Sequence, residues 1–389
     1  MPRLDDAQRR ARLSIRHHLH RPAANCVEVA ASVVGLHSSD PVTVFLGTRA
    51  RAPHVTPDEI EHALYEQRSL ARILGMRRTM FVVPTETAPV VQAGAARGLV
   101  AAQRTRTVRM LEEAGLTRRG DRFLDRCSQD VLDALREMGP STALALSKRV
   151  PDLALQMEVH RDGRPQGRTG VSTRVLFLLA VEGRIVRARP KGGWTSTQYR
   201  WALAEEWLGT DLHSWETAPA QAELARLWLR AFGPGSREDM RWWTGWTVRE
   251  TTRALDAVGA IEVALNAGSG YVLPDDLDPV EPPPPRVAFL PALDPTVMGW
   301  KGRDWYLSHR EALFDRNGNA GPTIWWDGRV VGGWAQRADG QVVWRLLEDV
   351  GRSAHRAVAE EASALRDWLG DVRFVPRFRT PLERELSSG

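Results

Sequence analysis

Two kinds of hydrophobic periodicity divide this 389-residue chain into helical and strand-like stretches. Helical spacing of apolar residues is found at 4–19, 41–52, 56–67, 85–115, 122–138, 170–183, 219–232, 236–243, 247–258 and 353–369. Alternating or continuous apolar runs typical of strands are found at 70–74, 79–83, 184–196, 260–265, 271–273, 286–290, 322–326, 329–336 and 341–348. The order of these stretches indicates an α+β fold.

Helices followed by a short hairpin occur three times, which is the order of elements in a winged helix. Residues 279–285 are mostly proline and form a stiff linker. Beyond the linker, Asp327-Gly328 and Asp339-Gly340 are strong hairpin turns, and they predict a small β-barrel or curled sheet crossed by one helix. We therefore expect three tandem winged-helix-like units on a helical scaffold, with domains at 1–138, 139–215, 216–280 and 285–389.

One polar stretch lies between two apolar ones near the N-terminus. Residues 26–36 have helical spacing, and Asp40 followed by Pro41 is a good helix start. His37, Ser38 and Ser39 are therefore predicted to form a tight turn beside the positive end of a helix. An imidazole and two hydroxyls there suit a phosphate or an activated water. Ordinary helix capping is the alternative explanation.

Composition narrows the class of protein without identifying it. The chain is 43% hydrophobic and 26% charged, as in soluble globular proteins, and no apolar run is long enough to cross a bilayer. It has two cysteines, no Cys-x-x-Cys and no Cys/His cluster at metal spacing. These features predict a cytoplasmic protein that uses neither a metal nor another cofactor and does not bind membranes.

Positive charge is concentrated in two segments. Residues 1–120 contain 18 Arg/Lys against 11 Asp/Glu, a net charge of +7, and residues 161–200 contain 9 against 2, again +7. Such clustering is typical of a surface that binds a polyanion. The strongest local signal surrounds the Gly192-Gly193 bend, where cations lie next to an indole: Arg187, Arg189, Lys191 and Trp194. This bend could equally pack its indole on a neighbouring helix.

The sequence Gly35-Leu36-His37-Ser38-Ser39 resembles the Gly-Leu-Gln-Φ-Gln segment of the AlkZ/YcaQ-like winged-helix DNA glycosylases, in which Φ is a hydrophobic or small residue. His37 and Ser39 occupy the positions of the two catalytic glutamines. Residues 74–79 resemble the Met-Arg-Gly-Thr wing of that family, with Arg78 where glycine is common. Arg77 and Arg78 at a wing would suit phosphates, although surface charge at a hairpin is an equal alternative.

The resemblance implies a C-shaped channel around duplex DNA, with a C-terminal hairpin that reaches the groove. By this analogy the candidate hairpin is 324–334, with Arg329 after its turn. The resemblance further implies a monofunctional DNA glycosylase that excises bulky alkylated purines of the N7-alkylguanine type, as DNA repair or self-resistance to a genotoxic natural product. His37 and Ser39 would be catalytic. The candidate DNA-contacting residues are Arg77, Arg78, Arg187, Arg189, Lys191, Trp194 and Arg329.

We expect a monomer, associated with the nucleoid, whose partner is double-stranded DNA carrying alkylated bases. The excised base would already be cationic, so the enzyme would need to stabilise an oxocarbenium-like sugar and place a water. His37 could do this by hydrogen bonding or as a base. A non-catalytic winged-helix DNA-binding protein or transcriptional regulator is the main alternative, because neither glutamine of the family motif is present.

Overall fold

A computed structural model describes residues 1–161 and 164–388. Its first helix differs from the sequence pattern in which of its residues are buried. Helix α1 spans Asp6–Arg16 and is capped by Asp5. Periodicity places Ile15 on the buried face, but Ile15 is exposed while Arg9 and Arg12 are buried. The reason is tertiary: Arg12 pairs with Asp276, and Arg9 lies over the Trp305 ring.

The first helical group carries a three-stranded antiparallel sheet with the order β1-β3-β2. Its elements are α2 (Cys26–Ser32), β1 (Leu36–His37), α3 (Pro41–Arg51), α4 (Pro57–Tyr65), β2 (Leu70–Leu74) and β3 (Met80–Pro84). Thr56 and Glu59 form a capping box at the start of α4. The β2–β3 connection contains a 3₁₀ turn, Met76–Arg78, in which Arg77 and Arg78 have positive φ.

A helical segment connects this sheet to the next one. It contains short 3₁₀ and π turns between residues 85 and 99 in place of the single helix that the pattern predicts. Its α-helices are α5 (Ala88–Val91), α6 (Val100–Glu113) and α7 (Gly120–Met138). Buried residues of α7 join residues from 143–185 in a separate hydrophobic core.

The second sheet has the order β4-β8-β7. The elements of this region are β4 (Ser141–Thr142), α8 (Ala143–Arg149), β5 (Gln156–Arg161), β6 (Arg164–Gly170), α9 (Val171–Val181), β7 (Ile185–Pro190), β8 (Tyr199–Leu203) and α10 (Ala204–Leu208). The predicted hairpin after α9 is present, but its return strand begins at Tyr199 rather than Trp194. The β5–β6 ribbon was not expected from the pattern.

A third group of helices precedes a two-stranded sheet. Its elements are α11 (Thr217–Phe232), α12 (Arg237–Thr244), α13 (Val248–Ala257), β9 (Ile261–Ala264) and β10 (Ser269–Val272). Capping boxes begin α12 and α13, at Ser236 and Thr247. All of these elements agree with the sequence pattern to within a few residues.

The C-terminal sheet is open, with the order β11-β12-β13-β14, so it does not close into the small barrel that was one expectation. Its strands and associated helices are β11 (Val287–Leu290), α14 (Pro295–Met298), α15 (Arg310–Leu313), β12 (Thr323–Trp326), β13 (Arg329–Gln336), β14 (Val342–Leu346), α16 (Gly351–Leu369) and α17 (Pro381–Ser388). Helix α16 packs across one face and buries Val358 and Leu365 with Trp334. A closed barrel would need β11 and β14 to pair; among the described strands, β11 pairs with β12 and β14 with β13.

The main hydrophobic core joins parts of the chain that are far apart in sequence. It includes Leu36 from β1, Trp228 from α11 and Trp325 from β12. Residues on both sides of the proline-rich linker therefore share one core. The structure consists of helices and small antiparallel sheets; the three winged-helix units and the four domain boundaries remain predictions.

Candidate functional site

His37 lies in a strand, not in the turn between two helices that the sequence predicts. Leu36 pairs with Val82 and His37 with Phe81, and the N–H of the next residue, Ser38, donates to the Met80 carbonyl at 2.7 Å. The prediction was wrong here because β1 contains only two residues and exists through its contact with β3. The hydrophobic periodicity of the sequence does not predict this contact between β1 and β3.

Gly35 permits this close approach of β1 to β3. A Cβ at residue 35 would lie 2.8 Å from a methyl carbon of Val83 and 3.3 Å from the Val82 carbonyl oxygen. Any side chain there would displace the sheet or its neighbours. The glycine that precedes the motif thus has a packing role in this chain.

The His37 imidazole is buried and neutral at ordinary pH. Only 5% of the residue is exposed, and its ring centroid lies 5.1 Å from that of Phe81. Burial, with a smaller contribution from Arg77, lowers the pKa of His37 to about 3. The Ser39 backbone N–H donates to Nδ1 at 3.4 Å, which leaves the hydrogen on Nε2. His37 is therefore a weak base and a neutral hydrogen-bonding group.

Ser38 and Ser39 face different surroundings. The buried Ser38 hydroxyl accepts a hydrogen bond from the Arg72 guanidinium, whose centre lies 4.8 Å from the Tyr199 ring. Ser39 is partly exposed and lines a cleft. The buried hydroxyl thus fastens the segment to β2 and β8, while the neighbouring residue meets solvent.

The C-terminal segment docks on the same residues. The Asp40 carboxylate caps α3 by accepting from Val42 N–H at 3.2 Å, and it accepts the Arg377 N–H at 2.8 Å. The Arg377 guanidinium donates to the Ser39 carbonyl at 3.2 Å. Burial raises the pKa of Asp40. Residues 39–40 are therefore held from both α3 and the C-terminus.

The cleft beside Ser39, which we call the arginine cleft, has a volume of about 470 Å³. Its floor is apolar and includes Leu74, Met80, Leu176, Phe177, Trp201 and Phe378. Its cationic residues are Arg78, Arg174, Arg187 and Arg377. Two of these four, Arg174 and Arg377, were missed as candidates. Arg174 could have been found from its place in the basic segment 161–200, whereas Arg377 comes close to Ser39 only through the fold.

The two arginines of the first hairpin point to different places. Arg78 is exposed at the arginine cleft and donates to the Gln103 side chain at 3.3 Å. Arg77 is mostly buried, with its guanidinium 3.9 Å from the Trp242 ring; Arg303 lies 4.9 Å from the same ring. Burial and Arg303 lower the pKa of Arg77 to about 10. Arg77 therefore lies on an indole outside the cleft.

The candidates of the second hairpin are also separated. Arg187 lines the arginine cleft, and its guanidinium carbon lies 5.0 Å from the centre of the Tyr199 ring and 5.4 Å from that of Trp201. Burial lowers the pKa of Arg187 to about 10. Arg189 instead pairs with Glu61 at 3.0 Å and Glu66 at 2.9 Å. Within residues 1–161 and 164–388, Arg187 therefore has no carboxylate partner, whereas Arg189 has two.

Lys191 and Trp194 complete this hairpin. Lys191 is exposed at its tip. Trp194 is half-buried and stacks on Phe45 of α3 with ring centroids 4.7 Å apart; Trp368 of α16 lies 6.2 Å away. This arrangement favours the packing alternative for the indole.

The hairpin that contains Arg329 forms the inner pair of the C-terminal sheet. Arg329 pairs with Glu348 at 2.8 Å. Its turn lies against α1, since a Cβ on Gly328, which has φ of +78°, would be 2.7 Å from Cβ of Arg10. In this conformation the turn contacts the protein itself.

Within residues 1–161 and 164–388, no group of three or more His, Cys, Asp or Glu side chains could hold a metal ion. Within the same ranges, no helix has the length and apolar character needed to cross a bilayer.

The chain is similar to known proteins in sequence and in fold. A family model described as DNA glycosylase AlkZ-like matches residues 30–368. The solved structure of Streptomyces sahachiroi DNA glycosylase AlkZ is 20% identical, with a TM-score of 0.70, and the match covers 94% of this chain and 97% of that one. At this identity the structural likeness shows the fold. No curated protein matches the chain.

Proposed function

The chain belongs to the AlkZ-like DNA glycosylase family, and from this premise we propose that it hydrolyses the N-glycosidic bond of bulky alkylated purines, of the N7-alkylguanine type, in double-stranded DNA. Family membership supports a DNA glycosylase that acts in repair. The observation that carries the proposal is the position of Ser39, which opens into a cationic cleft directly beside the neutral His37.

The neutral state of His37 fits a substrate whose base is already cationic. In such a substrate the C1′–N9 bond breaks and its electron pair neutralises the leaving base, so no proton need be donated. A water adds to C1′ of the oxocarbenium-like sugar and releases a proton to solvent. Ser39 holds this water at the cleft, and His37 fixes the Ser39 backbone behind it. Hydrogen bonding without proton transfer is also what the family glutamines can supply.

Two finer features of the proposal have separate support. The described lining of the cleft contains no lysine that could form a Schiff base, which favours hydrolysis without lyase activity. The apolar floor, with Phe177 and Phe378, suits an alkyl substituent that extends from the base. Self-resistance to a genotoxic natural product rests on the resemblance of residues 35–39 to the family motif.

We further propose that the protein is a cytoplasmic monomer at the nucleoid and contacts DNA through the cations of its two hairpins. Arg78 and Arg187 are the best supported contacts, because they line the arginine cleft. Lys191 is available at the surface. Arg189 and Arg329 are weaker candidates, since each already pairs with glutamate.

A non-catalytic DNA-binding protein is the second candidate, favoured by His37 and Ser39 in place of both family glutamines. It would have the same fold and the same cleft. It would bind duplex DNA without releasing a base.

The test is base release from a duplex that contains one N7-alkylguanine, measured as alkali-labile abasic sites. We expect His37→Ala and Ser39→Ala each to lower the rate by about 10²-fold, as for loss of one positioned hydrogen-bonding group. His37→Gln should keep the rate within about tenfold, because a neutral amide replaces a neutral imidazole. The matched control is His62→Ala, an exposed histidine outside the cleft.

Two outcomes would contradict this account. Wild-type protein that binds the duplex and releases no base would support the binding-protein candidate. A rate that changes with pH between 5 and 8 and is lost in His37→Gln would make His37 a proton-transfer group, against its low pKa.

A further inference from the structure

Four arginines from separate parts of the chain meet at the arginine cleft. Arg78 follows β2, Arg174 lies on α9, Arg187 lies on β7, and Arg377 lies in the C-terminal segment. No carboxylate of the described residues lies within ion-pair distance of any of their guanidiniums. Arg78 donates to an amide oxygen and Arg377 to a carbonyl oxygen.

Burial makes this arrangement costly when the cleft is empty of anions. Among the described residues, the buried Nε atoms of Arg174 and Arg187 have no hydrogen-bond partner, as is also true of Arg12 and Arg51 in the interior; the cleft differs in that its guanidiniums lack a carboxylate as well. Burial is the main cause that lowers the pKa of both residues; Arg106 and Arg78 add to it for Arg174, and Arg72 and Arg377 for Arg187. Unpaired buried cations are unfavourable, and a bound anion would offset that cost.

A matched contrast lies on the same strand. Arg189 follows Arg187 by two residues, yet two glutamates neutralise it. Carboxylates are therefore available to pair with arginines in this part of the fold, but they do not enter the cleft. The unpaired state is a property of the cleft rather than of the arginine-rich segment.

We propose that Arg78, Arg174, Arg187 and Arg377 form a phosphodiester site that holds the backbone of the damaged strand beside Ser39. Guanidinium groups bind phosphate oxygens through paired hydrogen bonds, and unpaired ones have free donors for them. The inference rests on the proposed function, and it adds two residues, Arg174 and Arg377, that the sequence did not indicate.

Arg377 gives this site a second role. Its guanidinium reaches the Ser39 carbonyl and its backbone N–H holds Asp40, so one residue contacts both the motif and the cleft. Its neighbour Phe378 forms part of the cleft floor. The C-terminal segment thus completes the site: it positions Ser39 and supplies one cation for the strand.

The test measures the salt dependence of binding to an undamaged labelled duplex. Each lost phosphate contact lowers the slope of log K against log salt by about 0.9. We expect this decrease in Arg174→Ala and in Arg377→Ala, with wild-type slopes in Arg174→Lys and in the control Arg249→Ala, an exposed arginine outside the cleft. Unchanged slopes in both alanine variants would overturn the site.

Base release separates the two roles. Arg174→Ala should raise KM severalfold with little change in kcat, whereas Arg377→Ala should also lower kcat, because Ser39 loses a holding contact. Equal kcat in the two variants would remove the positioning role of Arg377. If Arg377→Ala does not fold, Arg174→Ala decides the phosphate site alone, since its side chain makes no hydrogen bond within the described residues.

A competition experiment identifies the anion. A short single-stranded oligonucleotide should displace the duplex at far lower phosphate concentration than inorganic phosphate does; equal competition would overturn the assignment to nucleic acid. Because these measurements use undamaged DNA, their outcome is independent of base release. If the alanine variants lower the salt slope but the wild-type protein has no glycosylase activity, the phosphodiester site stands and the proposed function is rejected. If the wild-type protein releases bases but the slopes are unchanged, the proposed function stands and the phosphodiester site is rejected.

Discussion

Arginines cluster in two regions of this protein, the buried interior and the half-buried arginine cleft, and the two regions differ in the partners of these arginines. In the interior, Arg51 donates to both oxygens of Asp294, at 2.9 and 2.7 Å, and neither side chain is exposed. Arg12 and Arg16 both pair with one carboxylate oxygen, Oδ1 of Asp276. In the arginine cleft, Arg174 and Arg187 have no such partner among the described residues. The same residue type therefore serves structure in one region and is left available in the other.

A binding surface in this protein is therefore distinguished by arginines that lack carboxylate partners among the described residues, and not by the number of cations. Of the two segments with a net charge of +7, the N-terminal one contributes Arg12, Arg16 and Arg51 to internal ion pairs. It also contributes Arg78 to the cleft. A charge count treats these four residues alike. Only the positions of the acidic residues separate them.

The largest expected difference in the free energy of unfolding comes from removing one arginine from each region. Arg51→Ala should lower the free energy of unfolding by about 3–5 kcal/mol, because it leaves Asp294 buried and uncompensated. Arg187→Ala should lower it by less than about 1 kcal/mol, since no carboxylate loses a partner. Urea unfolding followed by circular dichroism measures both. Similar losses in the two variants would refute the division into paired and unpaired regions.

The stability of the protein in acid tests the protonation of His37, a buried basic side chain. Its folded-state pKa of about 3 lies below the unfolded value of 6.5, so its contribution to stability is present above pH 6.5 and is lost as the pH falls toward 3. Between pH 7 and pH 4 this loss is roughly 3 kcal/mol for one histidine, by proton linkage.

His37→Gln should remove that part of the pH dependence, and the test is unfolding of both proteins at the two pH values. The buried His17 is present in both and cancels in the difference. Parallel pH profiles for wild type and variant would show that His37 keeps an ordinary pKa in the folded protein.

The smallest expected effect concerns Arg189, which lies on the same strand, β7, as Arg187. Arg189→Ala removes partly exposed ion pairs, so stability should change by less than about 1 kcal/mol, and the salt slope of DNA binding should stay at the wild-type value. Arg187→Ala should lower that slope by about 0.9. Anisotropy titrations of both variants give the answer; a loss of slope in Arg189→Ala would show that its glutamates release it to DNA.

Much of the fold could be predicted because its signals are local. Thr56 with Glu59 and Ser236 with Asp239 form capping boxes, in which a side chain satisfies backbone groups three residues away. The Asp327-Gly328 turn joins β12 and β13 for a similarly local reason. Such features need no knowledge of the rest of the chain.

The site was predicted less completely, because its geometry depends on distant contacts. Strand alternation would place Arg187 and Arg189 on one face, but the register of β7 shifts between Arg187 and Pro190. The shift accompanies their separation, one toward the cleft and one toward α4. In the same way, β1 forms only because β3 is beside it.

By itself the sequence determined where most of the helices and several of the hairpins begin, which segments are basic, and which residues occupy the positions of the family motif. Those properties depend on neighbours within a few positions of the chain. The tertiary structure decided which charges are neutralised and which stay free, because their partners come from far away: Asp294 is 243 residues from Arg51, and Glu61 is 128 from Arg189. It also decided that Ser39 opens into the arginine cleft while His37 is buried behind it.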